Sequence, residues 1–373
     1  MPWSLRHIRC ADDETWSDSR QGLFKFPPSN LRGHGTLPPT AFPFSMETTF
    51  HLPADSETLF LLSRGPKLGG GVEIVTSPSL DDVVEVQINA RYLRKDLLDR
   101  TSVCLSERGE GEYGISMLSS PRWQRPGHED NVYFHVTVVL PQGASSRPLV
   151  VNNLETNMPN FFHNIGQLGE VVQFKQLSLN GLDAPIQVQS LTAESARIRT
   201  TNGLISGTFM VSSSLSLRTS NAPIDTLITL DDNDTTVDST VHIQTSNGEL
   251  KSTVHIDPST NLNLFTLNAK TSNAPLEISV PYAPSALPFF LTAKTSNAPA
   301  SVSIPPTFSG PFQMKTSNEE QYVDQRNPPI QGRQIHVYKT LGRATHGIVK
   351  WLDERPDGNV AVRTSNAPVT LML

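Results

Sequence analysis

The sequence predicts an all-β protein: a single-stranded β-solenoid, or β-helix, of about nine recognisable rungs behind an irregular β-rich N-terminal part. Three observations predict it. The pentapeptide Thr-Ser-Asn-Ala-Pro stands at 219–223, 271–275, 295–299 and 364–368; its variants are Thr-Thr-Asn-Gly at 200–203, Thr-Ser-Asn-Gly at 245–248 and Thr-Ser-Asn-Glu at 316–319. The turn positions, 183 (an Asp), 202, 221, 247, 273, 297, 318 and 366, are 19, 19, 26, 26, 24, 21 and 48 residues apart, which is the period of stacked repeats. On both sides of each turn apolar and polar residues alternate, the periodicity of a strand with one buried face.

Residues 1–40 are polar and contain Pro27-Pro28, Gly33, Gly35 and Pro38-Pro39. With no periodic apolar face they are expected to be a flexible tail. From 41 to 152 the chain is β-like but irregular, expected to be continuous with the repeats. Val72-Glu73-Ile74, Val84–Ile88 and Val132–Val138 alternate, and Ala90–Arg100 is the best place for a short helix, with Leu93, Leu97 and Leu98 on one side. The repeat solenoid is assigned to 153–373.

Within a repeat, one arm precedes the turn (Leu215/Leu217, Val241/Ile243, Leu267/Ala269, Leu291/Ala293, Phe312/Met314, Val360/Val362) and one follows it (Ile224/Ile228, Leu276/Ile278/Val280, Ala300/Val302/Ile304, Val369/Leu371/Leu373). One such unit cannot bury its apolar side alone; stacking makes a continuous core. The structural turn residues are Asn202, Asn221, Asn247, Asn273, Asn297, Asn318 and Asn366. Asn tolerates left-handed backbone at a corner, and stacked amides can bond along the axis. The 48-residue gap is twice 24 and has Lys339-Thr340-Leu341-Gly342 at its middle, so a degenerate ninth repeat is expected there. The last repeat has no visible cap, so its edge is expected to be covered by the 42–152 region or by end-to-end self-association. A β-sandwich would need turns every 8–12 residues.

The Thr-Ser-Asn-Gly/Ala-Pro turns with alternating arms resemble the putative adhesin family of unknown function in bacteria. The Thr-Ser-Asn-Ala-Pro form, with Ser63-Arg64-Gly65 and Asn89-Ala90-Arg91-Tyr92 upstream, is more similar to the fungal form of that family. The resemblance spans roughly residues 50–373 and is strongest in the repeats. It implies a β-solenoid and supplies no activity or catalytic residues. Asn318 departs from the pattern, being followed by Glu319-Glu320.

Composition narrows the function. A formal charge of -6 gives no global field for nucleic acid. The two cysteines, Cys10 and Cys104, are too few for a disulfide framework; one bridge between them is open, and two free thiols are the simpler expectation. No signal peptide or apolar span is visible, so the chain reads as soluble and intracellular as written. The sequon at Asn233 would matter only on export. Gly109-Glu110-Gly111-Glu112-Tyr113-Gly114 fits a dinucleotide fingerprint formally, but its acids would repel a pyrophosphate, so a β-turn is expected. Asp231-Asp232-Asn233-Asp234 with Asp238 lacks the pattern of a calcium loop. His242 and His255 lie at outward strand positions without a third ligand. No catalytic, cofactor or metal residues are assigned.

One stripe remains. Arg199, Arg218, Lys270, Lys294, Lys315, Lys339 and Arg363 each precede the turn Thr, with Gln244 the exception. Asp225 and Glu277 are expected to pair with Arg218 and Lys270 across the turn; an anionic ligand along the stripe is the alternative. The expected function is that of a non-catalytic structural or interaction protein, adhesin-like, presenting a repetitive surface to an unknown protein or glycan. A carbohydrate-active enzyme on a right-handed β-helix is the second hypothesis; it would need convergent carboxylates and a base in one groove.

Overall fold

The computed structural model describes residues 5–12, 14–18, 42–80, 82–121, 131–144, 146–230, 238–257, 264–285, 287–325, 330–340, 343–351 and 358–373. The protein is all-β: its strands form an open sheet, and the helical segment among the described residues is one 3-10 turn, Lys95–Arg100. The expected helix over Ala90–Arg100 shrinks to that turn because Val83–Tyr92 is taken by a strand. Only Leu97 of the three leucines is buried. The chain divides into two compact units, 1–192 with 198–203, and 193–197 with 204–373.

In the first unit the pairing changes from antiparallel to parallel. Arg6–Cys10 lies antiparallel on Thr101–Gly109, which pairs antiparallel with Glu112–Ser119; from there Thr58–Arg64, Leu149–Asn157 and Val172–Asn180 follow in parallel. A second series runs Phe44–Pro53, Val83–Tyr92 and Val132–Pro141 antiparallel, then Leu68–Ser77 and Phe161–Gln167 in parallel. The tail expected over 1–40 is thus partly a strand. Arg6–Cys10 is fixed by backbone pairing and by a disulfide from Cys10 to Cys104, its register partner. The two cysteines, expected to be free thiols, are bonded because the antiparallel register sets them directly opposite. Within Gly109–Gly114, Glu110 and Gly111 are the turn between two hairpin strands, with Gly111 at φ 76°. In Ser63-Arg64-Gly65 the glycine is required: its φ is 102°, and a Cβ there would fall 2.5 Å from the Ser119 carbonyl oxygen.

The second unit is built from two arms joined at the Thr-Ser-Asn corners. Ser214–Arg218 pairs in parallel with Asp238–Gln244, then Leu264–Lys270, Phe289–Lys294 and Asn359–Arg363 follow, and finally Gly310–Lys315. The other arm runs Ile205–Val211, Ile224–Leu230, Leu250–Ile256, Leu276–Tyr282, Ala300–Ser303, Val369–Met372 and Gln321–Asp324. Every pairing on both arms is parallel and keeps corner aligned with corner. The apolar positions expected to face inward do so: Leu217, Ile243, Leu267, Val360, Ile224, Leu276 and Val369 are at most 1% exposed. Phe265 and Phe289 meet tilted and Phe289 and Phe308 edge-on inside, with ring centroids 5.6 and 5.9 Å apart.

Two expectations about the end of this unit are corrected. The repeat at 359–373 is not last in space: it lies between the repeats at 289–303 and 310–324. The expected degenerate ninth repeat is an antiparallel hairpin instead, Arg333–Thr340 on Ala344–Trp351, laid antiparallel on Gly310–Lys315. The edge of Gly310–Lys315 is therefore covered by this hairpin rather than left open. On the other arm Glu319, Glu320 and Asp324 are exposed at the corresponding strand, Gln321–Asp324; charges of this kind discourage edge pairing. Leu341 and Gly342 lie outside the described residues.

Candidate functional site

Each corner begins with a Thr that the core buries: Thr219, Thr245, Thr271, Thr295 and Thr316 are at most 1% exposed. Sequence reasoning missed these residues, although the Thr recurs as regularly as the Asn. Their hydroxyls donate across the stack, Thr245 to the Ala222 carbonyl at 3.1 Å, Thr271 to Gly248 at 3.3 Å, Thr316 to Ala367 at 3.1 Å. The next N–H groups are also used. Ser272 and Asn273 both donate to the Ser246 carbonyl, and Ser365 and Asn366 to that of Ser296. Buried polar groups are thereby satisfied at the one place where the strand ladder is interrupted.

The Asn side chains lie outside this and bond to each other. Asn247 Nδ2 donates to Asn221 Oδ1 at 2.8 Å, Asn273 to Asn247 at 2.7 Å, Asn297 to Asn273 at 2.8 Å, Asn366 to Asn297 at 2.7 Å and Asn318 to Asn366 at 2.5 Å. The last acceptor, Asn318 Oδ1, receives Arg343 Nη1 at 3.0 Å. All five bonds run the same way along the six amides, so each bond polarises the next. In the first unit Asn202 Nδ2 makes the same bond to Asp183 Oδ1, at 2.6 Å. The expected left-handed conformation is not present: among the described residues other than Gly, positive φ occurs at Lys67 and Arg343 only. The bend is spread over Thr, Ser and Asn, whose N–H groups all reach a neighbouring repeat, so Asn is required for its amide and not for its backbone.

Beside the amides run the cations. The register places Arg218, Gln244, Lys270, Lys294, Arg363 and Lys315 on six adjacent strands, at matching positions. The last four form an uninterrupted row of exposed positive charge, about 14 Å long at a strand spacing of ~4.8 Å. Among the described residues none of these four has a carboxylate within 4.0 Å. The expected pairing of Arg218 with Asp225 and of Lys270 with Glu277 does not form. Those acids lie on the other arm, where Asp225, Lys251 and Glu277 are register neighbours and alternate in sign. Arg363 Nη2 donates to Gln313 Oε1 at 3.0 Å. The backbone of Lys339 is opposite Thr345 rather than Ala344, the partner of Lys315, so Lys339 is out of the row. Arg199 belongs to the first unit.

The other expected features contribute little. His242 and His255 are half-buried at outward positions, and His255 meets Tyr282 edge-on at 5.9 Å. Among the described residues no group of three or more metal-ligating side chains converges; Asp231–Asp234 and the sequon at Asn233 lie outside them. The first unit has two polar features that sequence reasoning missed. Arg108 bridges Glu112 at 2.7 Å and Glu155 at 2.6 Å over the Phe60 ring; burial opposes its charge, but the two carboxylates hold it more firmly protonated than usual. A 540 Å³ groove is lined by Trp16, Phe44, Tyr92, Lys95 and Asp99, and burial, then Asp99 and Asp18, raise the pKa of the Tyr92 phenol. Among the described residues no helix is long and apolar enough to cross a membrane.

Residues 195–326 match a family described as a domain of unknown function (DUF7330). No curated protein matches the chain. Among solved structures, a putative adhesin from Bacteroides fragilis is 8% identical with a TM-score of 0.32, over 87% of this chain and 96% of that one. A putative adhesin from Parabacteroides merdae is 8% identical with a TM-score of 0.31, over 88% and 96%. A putative cell adhesion protein from Clostridium sporogenes is 7% identical with a TM-score of 0.20, over 88% and 99%.

Proposed function

We propose that this chain is a non-catalytic interaction protein whose repeats coil as a β-solenoid and present a periodic outer surface to a protein or glycan, in the manner of an adhesin. The supporting observation is the corner. From Asn221 to Asn318 the same amide recurs at the same point of six repeats, held by bonds of 2.5–2.8 Å. Chemistry would call for convergent acids and bases in a groove; a periodic outer surface suits a ligand that is itself extended. Within the first unit, Leu149–Asn157 lies in parallel between Thr58–Arg64 and Val172–Asn180. That pairing supports reading 41–152 as continuous with the repeats that begin at 153.

The test is to immobilise the full chain and probe it with a panel of neutral and charged glycans and with itself, while release of new reducing ends from the same glycans is followed. Saturable binding without release is the expected outcome. Turnover of any glycan would replace this reading with the enzymatic one.

A further inference from the structure

The row Lys270, Lys294, Arg363 and Lys315 is the strongest feature that the fold itself leaves unexplained. Like charges directly opposite on neighbouring strands destabilise a sheet, and here four occur in succession. The acids that could relieve them, Asp225 and Glu277, flank Lys251 on the other arm. The row also depends on the exchanged order of the last repeats: Arg363 fills the place between Lys294 and Lys315 only because the repeat at 359–373 is inserted there. We propose that this row is the docking edge for a linear acidic polysaccharide, its carboxylate or sulfate groups lying one above another along the stack. This rests on the reading of the chain as an interaction protein and names its ligand.

The surroundings of the row fit sugar better than other polyanions. Two residues upstream on the same face lie Asn268, Thr292 and Gln313, all at least partly exposed, and beyond them Thr266 and Asn359. These amides and hydroxyls can bond to sugar hydroxyls between the charges. Phe290, 40% exposed on the same face, offers one ring for a sugar to lie against. Single-stranded nucleic acid would need successive aromatic platforms. Phe290 is the single aromatic among the outward positions of these four strands. A row of isolated charges on a straight edge matches a chain that carries one anionic group per sugar or two.

The full chain is tested by affinity electrophoresis and calorimetry against polygalacturonate, dextran sulfate, neutral dextran and single-stranded DNA. The variants are Lys270→Gln/Lys294→Gln/Lys315→Gln, and Lys251→Gln as the control on the other arm; melting temperature checks that both remain folded. Binding to polygalacturonate or dextran sulfate is expected, weakened about tenfold or more by the triple change and by salt, and unaltered by the control. The responding polymer identifies carboxylate or sulfate. No binding to either polymer, equal binding by the triple variant, or tighter binding of DNA would each overturn the proposal. Neutral glycan or self-binding that survives the triple change would overturn this inference while leaving the interaction reading intact.

Discussion

Asn366 donates its amide to Asn297, 69 residues earlier in the chain, at 2.7 Å, and accepts from Asn318, 48 residues earlier, at 2.5 Å. The repeat that comes last in sequence is therefore the filling between two that are consecutive in sequence. The amide series runs 221, 247, 273, 297, 366, 318 and closes on Arg343.

The first prediction concerns the interior of that series. Asn273 both donates to Asn247 and accepts from Asn297. Asn273→Ala removes two bonds and should cost about 1–3 kcal/mol. Asn273→Asp keeps the acceptor but sets a carboxylate against the Asn247 oxygen; at pH 7 it should be less stable than Asn273→Ala, and it should recover below about pH 4, once protonated. Chemical denaturation at both pH values measures this. An Asp variant as stable as the native protein at pH 7 would show that the amides add nothing. Because the corner backbone is not left-handed, no additional penalty is expected for a β-branched residue there.

The second prediction separates the Thr from the Asn. Thr271 is 1% exposed and donates to the Gly248 carbonyl. Thr271→Val preserves shape while withdrawing a donor from a buried acceptor, which should cost about 1–3 kcal/mol. Thr271→Ser keeps the donor, so its loss is confined to one methyl group, about 1 kcal/mol. Equal stability of the Val variant and the native protein would mean that water reaches that carbonyl.

Much of this was legible in the chain. The spacing of the corners, the period-two arms and the inward apolar set are local properties, and they survive folding because each repeat buries its own alternate residues. The order of the repeats was not legible. A gap of 48 residues divides as well into two repeats as into a hairpin and a returning strand, and Lys339-Thr340 imitates the step that opens a corner. The cation row was legible as a recurring residue type, but its neutralisation was misread, since register rather than sequence proximity decides which charges meet. Two cysteines 94 residues apart carry no local signal of pairing; only the antiparallel register of Arg6–Cys10 on Thr101–Gly109 brings them together.

The third prediction concerns pH. His163 is 1% exposed, and its Nε2 lies 2.8 Å from the Thr156 hydroxyl. Burial lowers its pKa from 6.5 to about 4, outweighing the Phe161 backbone, which favours the proton. Between those values the unfolded chain takes up a proton that the folded chain refuses. The contribution is therefore present in full above about pH 6.5 and is lost as pH falls to about 4, amounting to about 3 kcal/mol. His163→Gln should flatten this part of the stability profile relative to the native protein. Parallel profiles would mean that His163 takes up its proton as readily in the fold as in the unfolded chain.

The fourth prediction follows from the inserted repeat. Val360, Val362, Val369, Leu371 and Leu373 are all 0% exposed, and at about 1.5–3 kcal/mol for each buried side chain they represent roughly 7–15 kcal/mol of burial. That is comparable to the whole stability of a typical domain. Ending the chain at 358 removes the middle of three stacked repeats, leaving the strands at 289–303 and 310–324 facing an empty layer with unpaired edges on both sides. Hydrogen exchange should then show loss of protection over 310–324 and in the hairpin strands Arg333–Thr340 and Ala344–Trp351, while Leu250–Ile256, Leu264–Lys270 and Leu276–Tyr282 stay protected. A synthetic peptide of residues 359–373 supplied in trans should restore protection by adding as a strand to both edges, and Val362→Asp in that peptide should abolish the rescue. If 310–324 remains protected without the last repeat, Asn318 has closed directly onto Asn297, and the inserted layer is dispensable to the stack.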